Sequence, residues 1–271
     1  MQRSIVTLRF TMFRKEYQIC NSMEAKLKYY LQIADNALIL SHRLSEYCSR
    51  APFLEEDLAN TNVALDLIGR AESILDEAAK IEGKGNTADD LAYRRPENEL
   101  FNVLLAEQPN TDFAYIVVRQ FLLDAFDYKF FSELTQSKDE FLSAVAVKTL
   151  KESTYHLRRS SEWMVRLGDG TEEGNRRAQR ALNDLWKYTN ELFLENDADK
   201  AMKDSGIGVD LKVTGEQWLQ KVREICFLSN LKIPDGTHQI FGGKEGRHSE
   251  YLGHILTEMQ YLPIKYPDAR W

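Results

Sequence analysis

The chain has 271 residues, 43% hydrophobic and 28% charged, ordinary values for a globular protein large enough to bury a substantial core, in one domain or two. A formal net charge of −7 excludes an extended nucleic-acid surface as the primary function. No run of about 18 apolar residues occurs, which excludes a membrane-spanning helix, and three scattered cysteines, Cys20, Cys48 and Cys226, with no CxxC pair fit a reducing cytoplasm.

Residues 1–22 set Arg3, Arg9, Arg14 and Lys15 against one acid, Glu16. Their apolar run, Ile5 to Leu8, is too short for the core of a signal peptide. They are expected to form an N-terminal extension, flexible or upstream of a natural start at Met23, with residues 23–271 as a single helical domain. Breakers are clustered, with prolines only at 52, 96, 109, 234, 263 and 267. Inside a helix Pro costs about 3 kcal/mol and Gly about 1. The blocks between breakers therefore predict helices near 24–49, 54–82, 111–136, 139–167, 172–198, 214–231 and 248–262. Gly83 ends the second of these, Asn110 caps the third and Asp139 the fourth, and Gly168 and Gly170 end the fourth. A helix over 139–167 is about 43 Å long at ~1.5 Å per residue. Four helices of that class make an up-down bundle with shorter helices packed outside, and residues 84–110 and 199–213 connect them. Alternation of period two is absent, so strands are not expected and the fold class is all-α.

The candidate chemistry lies on these helices. The first carries Asp35, Asn36, His42 and Glu46. On the second, Leu58, Leu65, Ile68, Leu75 and Ile81 form an apolar stripe, with Asn62 and Asp66 near its edge. Asp66-Leu67-Ile68-Gly69 has the spacing of Glu-x-x-His, with Asp for Glu and Gly where His belongs. On the third, Phe113, Val117, Phe121 and Phe126 mark the core and Gln120, Asp124 and Asp127 adjoin it. The fourth carries Glu152 and His156 at i,i+4, and a basic cluster of Arg158, Arg159 and Arg166 suited to an acidic partner or a phosphate.

A di-iron bundle needs about six carboxylate and imidazole donors from four helices, including Glu-x-x-His on two of them. Of five histidines only His42 and His156 lie in the bundle helices, and neither has Glu three residues before it. Asp66, Gly69, Asp124, Glu152 and His156 are thus read as degenerate metal-site positions. Their acids are expected to pair with bases such as Arg70, Lys148 or Lys151, and no catalytic, cofactor-binding or metal-ligating residue is assigned. The competing readings are a stand-alone metalloprotein liganded by Asp66, Asp124, Glu152 and His156, and a helical adaptor.

In the tail, Glu245-Gly246-Arg247-His248 matches Glu-x-x-His in a glycine-rich loop, and Glu250, His254 and Glu258 share one helical face. Phe241-Gly242-Gly243-Lys244 could wrap a phosphate but lacks the Gly-Lys-Ser/Thr ending of a P-loop, and reads as a turn. Ser41-His42 and His248-Ser249 are mere neighbours, with no Gly-x-Ser-x-Gly. Trp163, Trp186 and Trp218 sit on helices where interfaces could form.

Five ordered blocks carry a resemblance. They are Leu58-Ala59-Asn60 with Leu65-Asp66-Leu67-Ile68-Gly69-Arg70-Ala71; Glu107-Gln108-Pro109-Asn110 with Asp112-Phe113-Ala114; Arg119-Gln120-Phe121 with Asp124-Ala125; Lys151-Glu152 and Tyr155-His156-Leu157-Arg158 through Trp163 to Arg166-Leu167-Gly168-Asp169-Gly170-Thr171; and Gly242-Gly243-Lys244, Gly246, His248, Glu250, Leu252-Gly253 with Glu258-Met259-Gln260-Tyr261-Leu262. Over roughly 25–271 the chain resembles the C subunits of ring-1,2-phenylacetyl-CoA epoxidases, also described as phenylacetate-CoA oxygenases. The resemblance implies a ferritin-like four-helix bundle with additional shorter helices, in a cytoplasmic, NADPH-dependent oxygenase complex of phenylacetate catabolism. It implies no cofactor in this chain. The di-iron centre and the CoA thioester are expected in a ferritin-like catalytic partner, with which this chain forms a hetero-oligomer as a non-catalytic structural subunit. Small bridging and reductase subunits are the further partners implied, with no nucleic acid and no membrane.

Overall fold

The computed structural model describes the backbone of residues 2–269 and the side chains of 23–269. The first helix, α1, is Gln2–Glu46; the reading of residues 1–22 as an extension falls on side chains outside those described. From Tyr29 to Leu44 every residue of α1 except Asn36 and His42 is buried, the mark of a helix wrapped on all sides.

The next helix, α2 (Leu54–Glu82), has the predicted bounds. Glu55, Glu56 and Asp57 complement the dipole in its first turn, and Gly83 closes it with its N–H on the Ala79 carbonyl. Its buried face is not the predicted stripe. Leu75 is in the core, but Leu58 and Leu65 are 55% and 61% exposed, and Ile68 and Ile81 are only partly covered. The buried residues include Val63, Ala64, Leu67, Arg70, Ala71, Ile74 and Ala78. Ala64, Ala71 and Ala78 repeat every two turns and let the backbones of α1 and α2 approach, so small residues mark the seam that large ones were expected to mark.

The connection 84–110 holds a short helix, α3 (Ala88–Tyr93), opened by a Thr87–Asp90 capping box, and a 3-10 turn, Glu97–Glu99. Asp112, not Asn110, caps α4 (Phe113–Leu134) by accepting the Tyr115 N–H at 2.8 Å. Asn110 is diverted into tying three segments: its amide donates to the Arg43 carbonyl at 2.6 Å and its oxygen accepts from Arg119 at 2.8 Å. The fifth helix, α5 (Glu140–Gly170), is capped by Asp139 as predicted and runs through Gly168 to end at Gly170.

The predicted helix 172–198 is broken. It consists of α6 (Glu172–Leu185), a 3-10 stretch Trp186–Phe193, and the start of α7 (Asp197–Ser205), which occupies the first part of the expected connection 199–213. The restart has a clear cause in a second capping box, Asn196 with Asp199. Then follow α8 (Leu211–Leu228), capped by Asp210, and α9 (Glu250–Lys265).

The helices α1 and α2 form one antiparallel pair and α4 and α5 the other, with α2 facing α5. Two paired helices, one long crossover and two more paired helices are the ferritin-like arrangement. Around it, α6 and α8 cover α4 and α5, α7 lies on α1, and α9 crosses α1 and α3. The described residues contain no strand, and no helix among them is long and apolar enough to cross a membrane. Among the glycines, Gly168 has the least room for a side chain, since an added Cβ would lie 2.0 Å from the Ser229 carbonyl oxygen. Gly168→Ala is expected to destabilise the chain by about 1–3 kcal/mol in urea titration. Gly170→Ala, which would meet nothing within 4 Å, should leave the midpoint within about 0.5 kcal/mol of the parent.

Candidate functional site: a polar layer inside the bundle

A layer of polar side chains joins three of the long helices, α2, α4 and α5. From α5, His156 is buried and its Nε2 lies 3.0 Å from Asp66 Oδ2 on α2, where Asp66 remains 41% exposed. From α4, Gln120 Nε2 donates to Asp124 Oδ1 at 2.7 Å, both residues being buried. Burial pushes the Asp124 carboxyl up to about 6, against the opposing pull of His156, Ser160 and Gln120. Its Oδ2 and the Gln120 Oε1 have no partner within the protein. One turn along α2, Arg70 is buried; its Nη1 donates to Asp127 Oδ2 on α4 at 2.5 Å and its guanidinium lies 4.7 Å from the Phe131 ring centre.

The structure therefore brings Asp66, Asp124 and His156 into one layer and leaves two predicted positions out of it. Glu152 makes only a loose 3.7 Å pair with Lys148 on its own helix. The residue that shares the inner face with His156 is Ser153, three positions earlier and fully buried. Ser153-x-x-His156 thus has the spacing of Glu-x-x-His with serine at the carboxylate position, a signal that the attention to Glu152 concealed. At Gly69 nothing lies within 4 Å of where a Cβ would stand. Of the expected pairings, Lys148–Glu152 occurs. Arg70 takes Asp127, and Asp66 takes His156 instead of a base on its own helix.

The candidates on α1 have another task. Asp35 is fully buried, bound by both terminal nitrogens of Arg95 and by the Phe101 N–H at 2.9 Å. Asn36 accepts the Val103 N–H at 2.7 Å, so these two side chains fasten the crossover to the bundle. His42 meets the edge of Tyr93, and burial pushes its pKa down. Glu46 pairs with Arg43 at 2.8 Å.

The glycine-rich tail does wrap an anion, but an internal one. Gly242 and Gly243 each donate their N–H to Glu191 Oε1 at 2.7 Å, and Leu104 N–H donates to Glu191 Oε2 at 2.7 Å. Only glycine fits at 243, since a Cβ there would stand 2.1 Å from the Asn102 carbonyl oxygen. Lys244 Nζ is taken by Asp199 Oδ2 at 2.5 Å and the Leu194 carbonyl at 2.9 Å. The Glu245 and His248 side chains serve separate partners. Glu245 meets Lys28 at 2.6 Å, while His248 lies between Glu107 Oε2, 2.9 Å from Nδ1, and the Leu100 carbonyl, 2.8 Å from Nε2. Burial alone would lower the His248 pKa, but Glu107 and the carbonyl outweigh it and raise it. Glu250, His254 and Glu258 sit on the exposed face of α9.

Two surface expectations change as well. Trp218 is buried, its Nε1–H donating to the Leu122 carbonyl at 2.9 Å, with Trp186 stacked on it; Trp163 meets Phe113 edge-on. These tryptophans pack within the chain. In the basic cluster, Arg159 reaches Glu56 at 2.6 Å and Asn60 at 3.0 Å across the α2–α5 seam, so only Arg158 and Arg166, each over an aromatic ring, remain for other partners.

Fold and layer together define a ferritin-like bundle whose inward carboxylates are met by the chain's own polar and basic side chains. Residues 12–271 match the phenylacetic acid catabolic protein family, and the chain belongs to that family. It is 42% identical over 243 residues to the C subunit of the 1,2-phenylacetyl-CoA epoxidase of Escherichia coli (strain K12), covering 90% of this chain and 98% of that protein. The di-iron centre that a ferritin-like bundle can house does not fit this donor set. One imidazole faces the layer, its Nε2 is engaged by Asp66, and a guanidinium stands among the carboxylates. Among the described residues no three His, Cys, Asp or Glu side chains converge to hold a metal ion.

Asp124 gives the layer a pH signature. Its folded pKa of about 6 stands above its ordinary 3.8, so the folded chain holds a proton that the unfolded chain has released. Stability therefore falls as pH rises from about 4 to about 6 and stays lowered above that window. Asp124→Asn is expected to stabilise the chain by about 1–3 kcal/mol at about pH 7.5 and to lose most of that gain at about pH 4.5, read by urea midpoints. A gain equal at both pH values would show that Asp124 is ionised throughout.

Proposed function

We propose that this chain is a non-catalytic structural subunit of a 1,2-phenylacetyl-CoA epoxidase complex, pairing with and stabilising a separate di-iron catalytic subunit in aerobic phenylacetate degradation. The observation that carries the reading is Arg70. A guanidinium cannot be deprotonated in proteins, and this one sits in the interior paired with Asp127, where a di-iron protein concentrates anionic ligands for cationic metal. The likeness to the C subunit of an epoxidase supports the substrate and the pathway. In this reading the cofactor of the complex is the iron of the catalytic subunit, and electrons come from NADPH through a reductase subunit. The assembly also includes a small bridging subunit, and it works in the cytoplasm without membrane or nucleic acid.

The outer surface of α2 supports a docking role. Leu54, Leu58 and Leu65 are 70%, 55% and 61% exposed, and at 100° per residue they fall within about 40° of one another on the helix. An obligate partner burying roughly 2,000 Å² or more would cover such a stripe.

The test is co-expression with the catalytic subunit. Leu58→Glu/Leu65→Glu is expected to abolish co-elution and lower epoxidation of phenylacetyl-CoA, while the isolated variant keeps its stability within about 1 kcal/mol. A catalytic subunit fully active and monomeric without this chain would overturn the structural role. Two irons per copy of this chain, measured by elemental analysis, would make it a catalyst.

A further inference from the structure

The last helix, α9, is fastened to the bundle in its own way. Its buried residues Leu252, Ile255 and Leu256 pack with Ile39 of α1 and Leu100 of the crossover, a small apolar cluster apart from the main core. A segment with so few buried apolar contacts can open while the rest of a fold stays closed. Its polar ties are few: the Gln260 amide donates to the Arg95 carbonyl at 2.7 Å, and Arg43 Nη2 to the Tyr251 carbonyl at 3.1 Å. Ser249, the N-cap of α9, makes no side-chain cap bond. The Glu107 carboxylate takes that place, accepting the Ser249 N–H at 2.7 Å beside the positive end of the helix.

His248 meets the same carboxylate, and the side chains of both residues are fully buried. Its Nε2 lies 2.8 Å from the Leu100 carbonyl oxygen, which only accepts, so Nε2 carries a proton. Its Nδ1 lies 2.9 Å from Glu107 Oε2, a hydrogen-bond distance that also needs a proton. Glu107 accepts on both oxygens, from Ser249 and from the Asn102 amide at 3.0 Å, as an ionised carboxylate does. The proton therefore sits on Nδ1, and His248 is an imidazolium. Without it a nitrogen lone pair would face a carboxylate oxygen in a dry interior, where an unmade bond costs most. The other charges nearby are accounted for. Arg43 of α1 donates to the Glu107 backbone carbonyl, Lys28 of α1 holds Glu245, and Glu250 and His254 of α9 are exposed. Burial opposes the imidazolium, but Glu107, the Leu100 carbonyl and Glu97 outweigh it and hold the His248 pKa above its ordinary 6.5.

We propose that the proton between His248 and Glu107 is a latch that holds α9 on the crossover, and that its loss above neutral pH releases His248 to Lys265 as a unit while the long helices stay folded. The folded chain holds this proton more tightly than the unfolded chain. The latch is therefore fully closed below about pH 6.5 and fails as pH rises through the raised folded value. Upstream the tail stays fastened, because Glu191 on Gly242 and Gly243, and Lys244 on Asp199, involve no histidine. Release uncovers Ile39 and Leu100. The device is independent of whether the chain docks a catalytic partner, because all its groups lie within this chain.

The test is amide hydrogen exchange on the full chain from about pH 6 to about pH 9, corrected for the intrinsic pH dependence of exchange. Protection of α9 is expected to fall about tenfold or more across that range, with α4 and α5 changing less than about twofold. The nitrogen resonances of the His248 ring, read by NMR, should show both nitrogens protonated at about pH 7. Glu107→Gln keeps an acceptor and removes the charge, and is expected to move the loss of protection down by about one pH unit or more. His248→Gln should remove the pH dependence and leave α9 no better protected than in the parent at about pH 9. Should Glu107→Gln fail to fold, His248→Gln and the parent's ring resonances carry the test. A neutral His248 ring at about pH 7, α9 protection unchanged up to about pH 9, loss spreading equally to α4 and α5, or full α9 protection in His248→Gln would overturn the proposal.

Discussion

A charge placed inside a helical bundle must be neutralised from a neighbouring helix, and the interior of this chain is organised by that requirement. Unpaired, each ion would cost several kcal/mol in desolvation. Asp35 of α1 meets Arg95, Asp66 of α2 meets His156, Asp127 of α4 meets Arg70, and Asp199 of α7 meets Lys244. Every one of these pairs joins two different segments. In a di-iron bundle the metals perform this neutralisation and tie the helices together through shared ligands. Here the basic side chains Arg95, Arg70 and Lys244 meet Asp35, Asp127 and Asp199, and each pair ties two segments together. Asp124 is the exception, with no ion pair of its own, and burial raises its pKa to about 6.

The same logic explains how the long crossover and the tail are held without regular structure. The crossover lacks the repeating backbone ladder that would satisfy its N–H groups. Carboxylates and amides from the helices accept them instead: Asp35 takes Phe101, Asn36 takes Val103 and Glu191 takes Leu104. Glu191 accepts two more N–H groups from the glycine pair at 242 and 243, and Glu107 accepts from Ser249 and faces His248. Crossover and tail are thereby fastened to each other through buried acids, and the tail's chemistry is consumed in that fastening. Glycine at 243 is needed because the two backbones lie against one another.

What could be read in advance follows from which forces act locally. The extents of α2 and α5 were legible because breakers and caps are local, and Gly83 and Asp139 behave as their types dictate. The capping boxes at Thr87 and Asn196 are equally local, and reading them would have split 84–110 and 172–198 correctly. The inner face of α2 was not legible from hydrophobicity, because Ala64, Ala71 and Ala78 mark the seam by being small while Leu58 and Leu65 face outward. Likewise Glu152 drew attention as the carboxylate near His156, yet the inward register belongs to Ser153. In the proposed complex a partner covering this apolar stripe inverts the usual guide to inside and outside, and within the chain only the spacing of the leucines signals it.

That inversion bears on why α2 is built as it is. Toward α1 it presents alanines; toward α5 it presents mainly polar contacts, Asp66 with His156, and Glu56 and Asn60 with Arg159. Ion pairs of this kind contribute little net stability but fix which residue faces which, so the α2–α5 seam sets register more than it supplies cohesion. In the proposed complex the apolar leucines on the free side of α2 would supply what the seam lacks. A helical partner laid across them would bury apolar surface on both chains at roughly 25 cal/mol per Å² and hold α2 against α5 from outside. In the proposed complex the fold would supply the register and the partner the remaining cohesion, which is the physical content of the structural role proposed for this chain.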